Sequence, residues 1–189
     1  MEKLLLQFIN REIEVRHQLL EEDFVTNLSC IFNHVITKLR NGSQIAFCGN
    51  GGSSTFASHM TAEFVGRYKK EKPSGLKAVS LNDIANITAI GNDYGYKLIY
   101  AKQVEALLHE GDVLFGFSTS GSSENIVEAV KAAKKRGILT ISMTGETGGE
   151  LKGLSDYCIC VPSKETAIIQ SCHLTIGHLL CEVVDRELF

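Results

Sequence analysis

The chain has no tryptophan and only two prolines, and no uninterrupted apolar run approaches the roughly 20 residues of a membrane span. It also lacks a surplus of positive charge. Nineteen Lys and Arg stand against 22 Asp and Glu, a net charge of -3, which argues against a nucleic-acid partner held by bulk charge. The scarcity of proline excludes a Pro-rich linker protein, and 17 glycines point instead to tight turns between regular elements. The opening residues 1–11 carry no small-residue cleavage site, so no secretory signal is read there. With 44% hydrophobic and 22% charged residues, disorder, collagen and coiled-coil-only architectures are also excluded.

A length of 189 residues fits one domain, 1–189, with a helical extension over 1–40. A chain of this size buries enough surface to fold without a disulfide or metal. The six cysteines are Cys30, Cys48, Cys158, Cys160, Cys172 and Cys181. Without a signal they are expected to be reduced, mostly buried thiols of a cytoplasmic protein.

Phe24, Leu28, Ile31, Val35 and Leu39 recur at spacings of three and four, so residues 2–40 read as helix. The acidic cluster 21–23 is expected to divide it, with Asp23 as a cap, and Asn41-Gly42 to end it. Beyond it, β-rich runs at 44–48, 77–81, 113–117, 138–142 and 157–161 alternate with helical stretches at 54–68, 84–90 with 98–109, 123–136, 149–154 and 165–187. That alternation predicts an α/β three-layer sandwich around a five-stranded parallel sheet. Ligands of such folds sit at the carboxyl ends of the strands.

The first strand runs into Gly49-Asn50-Gly51-Gly52-Ser53-Ser54 and then a helix. Glycines there let backbone N–H groups approach an anion, although a tight strand–helix turn needs the same residues. No Lys follows for a P-loop, and Ser54 replaces the third glycine of a dinucleotide fingerprint. The third strand leads into Ser118-Thr119-Ser120-Gly121-Ser122-Ser123 before a helix. So many hydroxyls exceed the needs of one N-cap and suit a neutral phosphate cradle, the plainer reading being a capping cluster. His59 and Glu63, four apart on one helix, share a face as a metal half-site does, and as many solvated helix faces do. Gln170 and His178 lie eight apart on the last helix, about 12 Å of rise. One metal reaches both only if Gln170 leans forward; otherwise different subunits complete the two pairs.

Taken together, Gly49-Asn50-Gly51-Gly52-Ser53 and Ser118-Thr119-Ser120-Gly121 resemble the two signature loops of the sugar isomerase (SIS) domain family. His59, Glu63, Gln170 and His178, with the text of 63–68, 91–95 and 161–163, are similar to the metal-dependent phosphoheptose isomerase branch, over essentially the whole chain. The resemblance implies a flavodoxin-like SIS fold and an aldose–ketose isomerisation through an enediol. Sedoheptulose 7-phosphate would become D-glycero-D-manno-heptose 7-phosphate, on the way to bacterial surface polysaccharide. It implies one Zn2+ per subunit on His59, Glu63, Gln170 and His178, with Glu63 and His178 as acid and base. Asn50, Gly51, Gly52, Ser53, Glu63, Asn92, Asp93, Ser118, Thr119, Ser120, Ser123 and Gln170 would bind substrate. It also implies a homotetramer in which helices 1–40 take part, with no nucleic acid or membrane partner. Asn92 and Asp93 read equally as turn residues, and Arg67 as a surface residue or a reach toward a neighbouring subunit.

Phe56, where the family often has an acidic residue, and Ala167-Ile168-Ile169, where it often has a charged one, depart from the pattern and bear on substrate choice. His17, His34 and His109 read as helix-surface residues, His173 as a non-ligand, and Cys158 and Cys160 as core packing. Three competing readings remain. They are a non-catalytic SIS-domain protein binding a protein partner, of the replication-initiator-associating type, an isomerase of another phosphosugar, and a phosphosugar sensor. A sensor usually needs a further DNA-binding domain, for which 189 residues leave no room.

Overall fold

The structure is a computed structural model and describes residues 1–72 and 75–189. Helices α1 (Glu2–Gln18) and α2 (Glu22–Arg40) come first. They are followed by β1 (Ile45–Gly49), α3 (Gly52–Val65), β2 (Ala78–Ser80) and α4 (Ile84–Tyr94). A 3-10 turn at Tyr96–Leu98 precedes α5 (Ala101–Leu107), β3 (Val113–Phe117), α6 (Glu124–Lys135) and β4 (Leu139–Thr144). The chain closes with α7 (Leu151–Leu154), β5 (Tyr157–Cys160) and α8 (Thr166–Leu188).

All strand pairs are parallel, in the order β2-β1-β3-β4-β5. The central strands β1 and β3 are buried throughout, because helices cover both faces. On one face α2, α3 and α8 pack their apolar stripes on Ile45, Phe47, Phe115 and Ile141. On the other, α5 and α6 cover Ala46, Cys48 and Leu114. This is the expected three-layer sandwich. The order reverses between β1 and β3, so the loops after those two strands flank the topological switch point.

Several local expectations shift. Asp23 does not cap α2; it lies in the first turn, and Glu21 stands at the N-cap position. The helix expected over 84–90 continues to Tyr94 and stops at Gly95, whose φ of 87° favours glycine. Asp83 caps its start, accepting from the Asn86 N–H at 2.9 Å. The cysteines are free thiols, but Cys30 is exposed and Cys158 and Cys160 are half-buried rather than packed in the core. His109 sits past the end of α5 rather than on a helix. Helix α8 averages a hydropathy of 1.4 over 18 residues, enough by composition to span a membrane. Half of that window is buried inside the protein, where Ile169, Cys172, Ile176 and Leu180 join the core, as in a core helix of a globular domain.

Candidate active site

Three loops meet at the carboxyl end of the sheet. Gly51 turns the chain from β1 into α3 with φ 55°, a conformation other residues rarely adopt. Gly49 is as constrained, since a Cβ there would lie 2.6 Å from the Ser53 carbonyl oxygen in the first turn of α3. The Gly49 carbonyl accepts from the Tyr100 hydroxyl, and Ser53 is buried beneath the turn.

Asn50 faces Asn125 of α6. Each amide donates to the other's oxygen at 2.8 Å, and Tyr96 adds its hydroxyl to Asn50 Oδ1 at 3.1 Å. This reciprocal pair joins the loop after β1 to the helix after β3. Asn125 and Tyr96 were not singled out from the sequence. The available signal was a buried Asn on the apolar face of an otherwise well-patterned helix.

After β3 the chain forms a hydroxyl cluster. Ser118 Oγ lies 2.9 Å from Ser123 Oγ and 3.4 Å from Ser120 Oγ, and Ser123 stands at the N-cap of α6. Thr119 is half-buried beside them. The first N–H groups of α6 open toward this cluster without intrahelical partners, as at any helix start, and the helix dipole adds partial positive charge. A third loop, 145–149 after β4, braces the cluster from behind. A Cβ on Gly121 would come within 2.1 Å of the Gly148 carbonyl oxygen, and one on Gly145 within 2.8 Å of the Thr119 carbonyl oxygen. Sequence reasoning missed this loop, although its three glycines after a strand were a visible signal.

The second centre lies between α3 and α8, which run side by side in the same direction. Gly177 makes their approach possible: a Cβ there would lie 2.6 Å from Met60 Sδ and 2.7 Å from the Phe56 ring. Next to it, His178 Nε2 sits 2.9 Å from His59 Nε2, and His59 Nε2 sits 3.4 Å from a Glu63 carboxylate oxygen. One ligand atom from each of the three lies within 4.8 Å of the others. Tyr68 stacks on the His178 ring at 6.0 Å. Two imidazole nitrogens and a carboxylate oxygen are the donor set of many catalytic zinc sites, so these residues fit the ion the resemblance implies. A tetrahedral ion with bonds near 2.1 Å needs nitrogens about 3.4 Å apart, so the rings would part by about half an ångström to admit it.

Beneath the centre, the buried Lys72 ammonium holds the Glu63 carbonyl at 2.5 Å and faces Asp185 at 3.3 Å. Asp185 accepts from the N–H groups of Lys69 and Lys70. Burial would raise its pKa, but those N–H groups and Lys72 outweigh burial and hold it below the usual carboxylate value.

The other expected residues lie around this centre. Gln170 places its carboxamide against Gly52, 2.8 Å from where a Cβ would stand. Gly52 is seven residues, about two helical turns of backbone, before His59 on the same helix. Of the expected four-residue set, His59, Glu63 and His178 meet within one chain. Asn92 and Asp93 stand exposed at the end of α4, bonded to each other at 2.9 Å. Arg67 is exposed and paired with Glu71. Phe56 packs on Phe117 with ring centroids 4.6 Å apart. His173 is buried, with Nε2 3.2 Å from the Thr144 carbonyl and Nδ1 without a partner among the described residues.

The SIS domain family model matches residues 7–145. A phosphoheptose isomerase from Nitratiruptor sp. is 52% identical over 153 residues, covering 80% of this chain and 81% of that protein. One from Thermodesulfovibrio yellowstonii is 48% identical over 185 residues, covering 96% and 92%. A solved phosphoheptose isomerase from Neisseria gonorrhoeae superposes with a TM-score of 0.91 at 36% identity, covering 98% of each chain.

Proposed function

Because this chain belongs to the SIS domain family and is an isomerase of its phosphoheptose isomerase branch, we propose that it converts sedoheptulose 7-phosphate to D-glycero-D-manno-heptose 7-phosphate. The reaction moves a proton between C1 and C2 through an enediol, feeding heptose synthesis for bacterial surface polysaccharide. The observation that carries this reading is the meeting of His59, Glu63 and His178 at 4.8 Å or less, about two turns along α3 from the first glycine loop. A phosphate held at the loops then needs an open-chain sugar of several carbons to bring its carbonyl end to the three side chains.

The phosphate rests on the hydroxyls of Ser118, Thr119, Ser120 and Ser123 and on the N–H groups that open α6, with Ser53 completing the cradle. Asn50, Gly51 and Gly52 line the sugar's path with Gln170, and Asn92 and Asp93 take hydroxyls from the α4 side. One Zn2+ per subunit, held by His59, Glu63 and His178, supplies polarisation of the carbonyl oxygen when bound. Catalytic zinc commonly has three protein ligands and an open position, which leaves Gln170 as a substrate contact or an occasional fourth donor. Glu63 carries the proton between carbons and His178 serves the oxygen, the pairing that carboxylate and imidazole basicities favour near neutral pH.

We place the enzyme in the cytoplasm, in keeping with six free thiols, and as a homotetramer. Leu4, Leu5, Leu6 and Ile9 expose an apolar face on α1. An apolar trough of about 540 Å³ runs between α1, α2 and α8, lined by Ile13, Phe24, Leu28 and Leu179. Both are surfaces that copies of the chain would cover. Light scattering is expected to give four subunits, and a stable, active monomer would remove the assembly.

The test of the reaction is incubation of purified protein with sedoheptulose 7-phosphate, followed by NMR. Glu63→Gln and His178→Ala are each expected to lower turnover about 10²–10⁴-fold while leaving the fold intact. No conversion by the wild-type protein, or full turnover in both variants, would overturn the assignment.

A further inference from the structure

Cys158 and Cys160 are two apart on β5, so both side chains leave the same face of the strand, opposite to Ile159, which enters the core. Their sulfurs lie 3.6 Å apart. Strand β5 is the edge of the sheet, and both thiols are half-buried rather than sealed. The Thr144 hydroxyl lies 3.6 Å from Cys158 Sγ and 3.5 Å from Cys160 Sγ. Gly148 packs closely on the other side, where a Cβ would stand 3.1 Å from Cys160 Sγ and 2.5 Å from Lys152 Cβ. These are two sulfur donors, side by side and half-buried, with a polar neighbour, at the edge of the sheet. No step of the isomerisation uses them.

We propose that Cys158 and Cys160 form a two-thiolate site for a soft, thiophilic metal cation, separate from the His59–Glu63–His178 centre. Two geometric points favour a bound cation over a disulfide. A metal with bonds of about 2.3 Å in tetrahedral geometry spans sulfurs about 3.8 Å apart, close to the spacing already present. A disulfide would have to draw two residues of one extended strand together from about 6.6 Å between Cα atoms, near the upper limit such bonds tolerate. One of the two thiols is prepared to lose its proton. With the S–H of Cys158 turned toward it, Cys160 is pulled below the usual thiol value against the opposing effect of burial, while Cys158 is raised and would give up its proton only to the arriving metal. Thiolates select soft cations over magnesium or calcium, which take oxygen donors.

The test is a titration of reduced, full-length protein with Cd2+, read by the near-ultraviolet thiolate-to-metal absorption. Imidazole and carboxylate ligands do not produce that band. One equivalent is expected to develop it in wild type and in the His59→Ala and Cys30→Ser variants. In Cys158→Ser and Cys160→Ser the affinity is expected to fall more than about 100-fold, beyond what loss of an outer partner costs. Unchanged melting temperatures in those serine variants would show that the loss is local. The site is overturned if wild type shows no band, if the band survives undiminished in both serine variants, or if Cys30→Ser abolishes it.

Discussion

His59 and His178 are 119 positions apart in the chain, yet their Nε2 atoms lie 2.9 Å from one another. At that distance the two rings are in hydrogen-bond contact and, after a small parting, can hold one cation between them.

The first prediction follows from that contact. Added Zn2+ is expected to raise the melting temperature, since a ligand at 100 times its Kd stabilises by about 2.7 kcal/mol. For a domain of this size that corresponds to several degrees. Chelation should reverse the rise, and His178→Ala should abolish it. A scanning-fluorimetry trace indifferent to zinc would count against the centre.

Gly177 governs how closely α3 and α8 lie. Gly177→Ala puts a methyl group within 2.7 Å of Met60 Sδ and the Phe56 ring, both packed between the helices. The overpacking is expected to cost about 1–3 kcal/mol and to weaken zinc binding by separating His59 from His178. Urea denaturation and a zinc titration read the two effects. Wild-type values in both would mean that the helices have slack.

Asp185 anchors the end of α3 through Lys72. Both side chains are nearly inaccessible, at 4% and 2%. Asp185→Ala leaves the ammonium buried without a counter-charge, and is expected to cost about 3–5 kcal/mol. Replacing both, as Lys72→Met with Asp185→Leu, should cost less than the single change if the charge is the cause. A double variant worse than the single one would point to packing instead.

His173 gives the protein a slope in mildly acidic solution. Burial lowers its pKa to about 4, although its hydrogen bond with the Thr144 carbonyl acts the other way. The unfolded chain takes up a proton near 6.5 and the folded chain does not, so stability is full above that value and falls as the pH drops toward 4. Between pH 7.5 and 5 the loss is expected to be on the order of 2 kcal/mol by urea denaturation. His173→Gln should flatten that slope, and an equal slope in the variant would assign it to other groups.

Local signals carried most of the fold. The run 113–117 coincides with β3, and the glycine and serine loops stand at the strand ends where the alternation put them. What stayed hidden depends on neighbours distant in sequence. Asn92-Asp93 has turn chemistry, yet α4 continues through it because Gly95 supplies the stop one turn later. Gly177 reads as a weak point in a helix until Met60 and Phe56 are seen against it. The positions of Gln170 and His178 relative to α3 follow from helix registry, which spacing along one helix does not reveal.

The amides of Asn50 and Asn125 pair as two bases do, each giving one N–H and taking one. A lone substitution strands a donor and an acceptor in a part-buried place, whichever partner changes. The loop after β1 and the helix after β3 are therefore not free to drift apart. A displacement at one is felt at the other, and the two halves of the ligand site hold or shift as one.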